Sequence, residues 1–140
     1  MEYVESTARI THRGVMAMLA AGMARAEEIG QPQCIVIVDQ SGEPLGEIRM
    51  TGAKFLSRRS ALAKAVTAAS HNMPSASVPE AVRPALAAAT AGGLTGLGGG
   101  LPVRIVGVVV GGIGVGSGSP EQDLDVARAA LAAIGADQVG

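Results

Sequence analysis

The 140-residue sequence predicts an α+β fold (an α/β sandwich): two β-hairpins form one antiparallel sheet flanked by helices, in the order α-β-β-α-α-β-β-α. Three observations carry this expectation. Apolar residues recur at helical spacing through residues 11–29, and a capping box at Ser119 opens a last helix. Two pairs of apolar, β-prone runs, 33–38 with 44–50 and 101–106 with 108–115, are each joined by a short glycine-bearing turn. No strand–helix–strand alternation calls for a parallel sheet.

Thr11 stands where an N-cap is expected. Val15, Met18, Leu19, Gly22, Met23 and Ala26 then form a stripe ending near Ile29, with Gly30 and Pro32 as the stop. Residues 33–38 give a β-branched run suited to a buried strand. Asp39-Gln-Ser-Gly42 makes the turn, Asp39 by bonding the turn backbone. The return strand, 44–50, mixes Leu45, Ile48 and Met50 with Glu47 and Arg49. A second helix over 57–70 turns Leu56, Ala63, Val66 and Thr67 to one side and leaves Arg58, Arg59 and Lys64 available to solvent or ligand. Pro74 and Pro79 break it. Residues 80–90 make a short alanine-rich helix with a late start at Pro84, and 92–100 is a glycine-rich loop. The hairpin of 101–106 and 108–115, turning at Gly107, has the continuous Val/Ile content of a sheet centre. Ser119-Pro-Glu-Gln122 supplies the N-cap, N1 proline and N3 glutamine of a capping box for a last helix ending before Gly135.

The length suits one domain over residues 1–140. Hydrophobic residues make up 48% of the chain but aromatics only 1%, namely Tyr3 and Phe55, so the core is aliphatic and small. At roughly 25 cal/mol per Å² of apolar area such side chains stabilise thinly, and a homo-oligomer that buries further faces is the expected remedy. The net charge of −1, with no basic stripe and few aromatics, argues against nucleic acid as a partner. Cys34, the one cysteine, lies in a Val/Ile run and reads as a buried, inert thiol. The first residues lack a signal-peptide pattern. The apolar stretch 103–115 contains Arg104 and is too short to span a bilayer. The expectation is a cytoplasmic protein without membrane contact.

Six motifs, in this order, resemble the GlcG/HbpS-like family across essentially the whole chain. They are Val38-Asp39 with Gly42, Arg49-Met50 with Gly52-Ala53, Lys64-Ala-Val-Thr67-Ala-Ala-Ser70, Gly98-Gly-Gly-Leu-Pro102, Gly111-Gly-Ile-Gly-Val115 and Ser119-Pro-Glu-Gln-Asp123. The resemblance implies an antiparallel sheet flanked by helices, broadly profilin-like, and assembly into homo-oligomers. It also implies haem or corrinoid chemistry, since some members bind haem and one branch forms the C-terminal domain of corrinoid adenosyltransferases. The chain departs from the family pattern at Val106-Gly107, where Asp-Gly is common, and at His71, where an aromatic or small residue is common.

Lys64, Thr67 and His71, at i, i+3 and i+7, share one helix face and form the chain's best chemical constellation. His71 suits an acid/base role or an axial ligand, with Lys64 as the second catalytic candidate. The resemblance also brings Thr67 forward as a contact to haem iron. The same residues have a structural reading, with Thr67 bonding backbone and His71 capping the helix end. Arg49 and Met50 are candidate ligand-binding residues at a strand end. Gly98, Gly99, Gly100 and Pro102 complete the set: the loop lacks phosphate-loop spacing, but its amides could serve as oxyanion donors. Two histidines without cysteine partners make no metal site beyond a haem iron held by His71 or Thr67. Three functions follow: an oligomeric binder of haem or a related small ligand; a cofactor-free isomerase, hydratase or hydrolase on a small carboxylate or carbonyl compound; or a non-catalytic accessory subunit.

Overall fold

In a computed structural model, which describes residues 2–139, the helices and strands follow the expected order. They are α1 (His12–Glu28), β1 (Cys34–Asp39), β2 (Pro44–Arg49), α2 (Ser57–His71), α3 (Arg83–Ala89), β3 (Gly100–Ile105), β4 (Val108–Gly116) and α4 (Pro120–Ala133). The ends are set by the predicted devices. Thr11 Oγ1 accepts from the Gly14 N–H at 3.1 Å, and Ser119 and Gln122 close a full capping box on α4. Asp39 Oδ1 accepts from the Ser41 and Glu43 amides, so this carboxylate builds its own turn.

The sheet is antiparallel with strand order β2-β1-β4-β3. The sequence placed the whole second hairpin at the centre. Only β4 is there, beside β1, and β3 is an edge strand. Pro102 suits that edge, because a proline has no N–H to give to a further strand. β1 is buried on both faces, which explains its unbroken apolar run. Ile35 and Ile37 face the core shared with α1 and α4, where Met18, Val126 and Leu131 pack. Val36 and Val38 face α2 through Ala61, Ala65 and Ala69.

That second face is unusually close. Glycines alternate along β4 at 112, 114 and 116, and each points at α2 backbone. A Cβ would stand 2.3 Å from Ala65 O at Gly112, 1.9 Å from Ala61 O at Gly114, and 3.1 Å from Ser57 O at Gly116. The helix therefore lies on the strand with almost nothing between the two backbones. Its alanines are a steric requirement, which accounts for much of the composition.

The fit predicts a graded series. Gly114→Ala should cost about 3 kcal/mol or more in urea denaturation, Gly112→Ala nearly as much, and Gly116→Ala clearly less. Equal costs at all three positions would remove the contact as their cause.

Candidate functional site

The sheet register brings the C-terminal ends of β2 and β4 together with the starts of β1 and β3, since Cys34 pairs with both Arg49 and Gly116 and Gly100 pairs with Gly114. Lys64 is drawn into this end. It is only 5% exposed, which corrects the expectation that it faces solvent or ligand freely. Its Nζ donates to Val115 O at 2.8 Å and to Asp123 Oδ2 at 3.2 Å. The other carboxylate oxygen, Oδ1, accepts from the Gly118 amide at 3.0 Å. Above the ammonium passes Gly99, at φ +120°. A Cβ there would meet Val115 O at 2.6 Å and Lys64 Nζ at 3.1 Å, so the position demands glycine. Four of the six motifs thus meet at one buried ion pair. Burial pushes the Asp123 carboxyl upward, and this outweighs the lowering by the Lys64 charge, the Lys64 hydrogen bond and the Gly118 amide.

The rest of the Lys64–His71 face is engaged differently. Thr67 is buried, and its Oγ1 accepts from the Thr95 N–H at 3.0 Å, pinning the 90–97 loop. His71 closes α2, with Asn72 in the left-handed conformation just beyond. Its Nε2 is buried without a hydrogen-bond partner. The Gly100 amide is no oxyanion donor, because it already donates to Ser75 Oγ at 2.9 Å, and that hydroxyl donates to Leu97 O at 2.6 Å.

Arg49 and Met50 line a separate groove of about 570 Å³, between β2 and the end of α1. Met23, Ile48, Met50 and Pro32 give it apolar walls, and Glu27 lines it as well. Arg49 is exposed and has no ion-pair partner among the described residues.

These parts do not assemble into one catalytic cluster within the chain. Arg49 and Gly100 lie on opposite edge strands, three strand spacings or about 14 Å apart. His71 is seven residues along α2 from Lys64, about 10 Å at 1.5 Å per residue. It lies towards the β3–β4 turn, where the Arg104 side chain bonds its neighbour Asn72.

Three residues of this region were missed as site residues by sequence reasoning. Asp123 gave a readable sign, because it occupies the inner stripe of α4 with Val126, Ala127, Ala130 and Leu131. Ser75 gave none. Gln33 looked like an ordinary strand-end residue, yet it is wholly buried, and its amide lies beside Asp123 outside hydrogen-bond geometry, with neither amide atom partnered.

Comparison with known proteins places this architecture. A family model described as haem-degrading protein HbpS-like matches residues 10–132. The corrinoid adenosyltransferase PduO of Citrobacter freundii is 39% identical over 119 residues; the match covers 81% of this chain and 36% of that one, so the chain spans about a third of that relative. The crystal structure of Klebsiella pneumoniae protein ORFY superposes with a TM-score of 0.91 at 31% identity, covering 99% of each chain. A PduOC:heme complex superposes at 0.86 with 28% identity, over 95% of this chain and 100% of that one.

Lys64→Met, which leaves the Asp123 carboxylate buried and unpaired, should cost about 3–5 kcal/mol in denaturant unfolding. Adding Asp123→Leu should recover most of that loss. A double variant no more stable than the single one would show that the pair is not the cause.

The pH dependence has a definite sign. The folded state takes up the Asp123 proton before the unfolded chain does, so between the ordinary carboxyl pKa and the raised one it holds more protons. Its stability relative to Asp123→Asn should therefore be fully present below that window and decline as pH rises through it. An advantage that grows with pH would mean that the Lys64 charge dominates.

Proposed function

The chain belongs to the HbpS-like family, and from that premise we propose that it is an oligomeric small-ligand-binding protein whose ligand is haem or a related tetrapyrrole. The observation that carries this reading is the Arg49 groove. Its apolar walls suit the edge of a planar macrocycle, a guanidinium without a partner suits a propionate carboxylate, and Met23 and Met50 supply thioethers, which are soft donors to iron. The PduOC:heme neighbour supports haem as the first ligand to try. The other candidate iron contacts are already engaged or enclosed. Thr67 is buried and bonded to the 95 amide, His71 Nε2 is enclosed, and neither residue lines the groove. We therefore place the iron-facing side at the groove and not at Thr67 or His71.

Self-association is part of the same reading. Phe55, the chain's one phenylalanine, is 70% exposed, and Met16, Leu56 and Leu97 are exposed as well. A core built from alanines gains most from burying such residues against a second copy. No helix among the described residues is long and apolar enough to cross a membrane. A buried thiol at Cys34, pushed up by burial and free of any disulfide, suits a reducing cytoplasm. The enzyme alternative is not carried forward, because its groups stand apart within the chain.

Titration with hemin should give a saturable Soret shift. Arg49→Ala should weaken binding about tenfold, through loss of one charge-assisted hydrogen bond. Thr67→Ala/His71→Ala should leave the affinity unchanged. Absence of any Soret shift removes haem as the ligand, and an unaffected Arg49→Ala variant moves the site elsewhere.

Light scattering on the eluting protein should return a multiple of 13.9 kDa. A monomer at every concentration would remove the oligomer.

A further inference from the structure

The two outer edges of the sheet are finished differently. At β3 the edge is closed: Pro102 has no N–H to give, and Arg104 O accepts from the Asp137 N–H at 2.8 Å. At β2 the edge is open. We propose that β2 pairs antiparallel with β2 of a second copy, about a two-fold axis at Ile48, so that two four-stranded sheets join into one. The proposal rests on the self-association read above and names its surface.

The hydrogen-bond ladder shows which groups are free. The Met50 N–H donates to Gln33 O at 3.0 Å, and the register sets Arg49 against Cys34, Ile48 against Ile35 and Glu47 against Val36. In an antiparallel ladder alternate residues turn their backbone groups to opposite sides. Met50, Ile48 and Gly46 therefore bond β1, while Glu47 and Arg49 turn N–H and C=O outward. These four groups have no partner among the described residues. Two such strands satisfy one another's groups across the axis.

Charge then selects the register. Three registers bring Glu47 and Arg49 against their counterparts. Glu47 opposite Glu47, or Arg49 opposite Arg49, sets like charges face to face, which is destabilising. Glu47 opposite Arg49 makes two opposite-charge pairs, one on each side of the axis. Glu47 Oε1 accepts from Arg58 Nε at 2.6 Å within the chain, which leaves Oε2 for the second copy. The Arg49 guanidinium has five N–H donors, enough for that carboxylate and for another in the groove. The other face of the strand agrees with this register. Ile48 meets Ile48 on the axis, and Met50 meets Gly46, a long side chain against none. Ile48 and Met50 are only partly buried within one chain. Gly46 turns towards α1, since a Cβ there would stand 2.5 Å from Val15 Cγ1.

The test uses the full chain without hemin. Amide hydrogen exchange, read residue by residue, should find Glu47 and Arg49 protected in the associated protein. Glu47→Arg and Arg49→Glu should each weaken association about tenfold in sedimentation, and the double variant Glu47→Arg/Arg49→Glu should restore it. Both side chains are exposed and the Arg58 pair lies at the surface, so the variants keep the fold. An assembly whose Glu47 and Arg49 amides exchange freely would overturn the proposal and leave self-association to another face. Single reversals without effect, or a double variant no better than the singles, would overturn it as well. A monomer at every concentration would remove both the interface and the oligomer. Hemin binding is read on separate samples and bears only on the Arg49 groove.

Discussion

The contact between α2 and β4 is the constraint on which the rest of the molecule depends. Backbones approach this closely only where one partner has no side chain and the other has very small ones, and Gly112, Gly114 and Gly116 over Ala61 and Ala65 meet that condition. Close approach maximises dispersion contact per residue and compensates for the little area each alanine buries. It also fixes the helix laterally, because a slip along its axis would set Cβ atoms against carbonyls. Fixing α2 in turn fixes the position of every side chain it carries.

Lys64 is the main consequence. On a helix standing off the sheet it would reach solvent along its own stem. On a helix pressed onto β4 its ammonium ends beside the last carbonyls of the strand, and a buried cation needs an anion. Asp123, one turn into α4, supplies it. The pair does not have to be a net source of stability, since desolvation offsets much of the attraction in such settings. Its effect is to tie α2, β4, α4 and the Gly99 loop to one another in one arrangement. The energetic penalty for a wrong arrangement is a stranded buried charge, which makes the pair a device of specificity.

Local signals were legible in the sequence, and long-range ones were not. Thr11, Asp39, Pro120 and Gly135 act on neighbours within four residues, so spacing alone located the turns and helix ends. The strand order was beyond reach, because a Val/Ile run reads alike in a central strand and in an edge strand covered on its face, as β3 is. The burial of Lys64 was legible only in retrospect. It shares the inner stripe of α2 with Ala61, Ala65 and Ala68, and a charge in such a stripe implies a partner in another element. Nothing local names that partner. The second hairpin shows the same division. Val106 and Gly107 both take positive φ, a costly choice for valine. The carboxylate that steadies the turn comes from Asp137, which accepts from both amides, and not from within the turn.

One strained residue links two loops at this end of the sheet. Ser117 follows β4 at φ +95°, a conformation that costs a non-glycine residue on the order of 1–3 kcal/mol. Glycine would adopt it freely, yet glycine could not hold this link. Ser117 Oγ accepts from the Lys54 amide at 3.0 Å, and Ser117 O accepts from Gln31 Nε2 at 3.0 Å. Gln31 lines the Arg49 groove, and Lys54 and Ser117 line a smaller cavity of about 270 Å³. The serine therefore joins the loop between α1 and β1 to the loop before α2. Arg49 lines the larger of the two cavities and Lys64 the smaller.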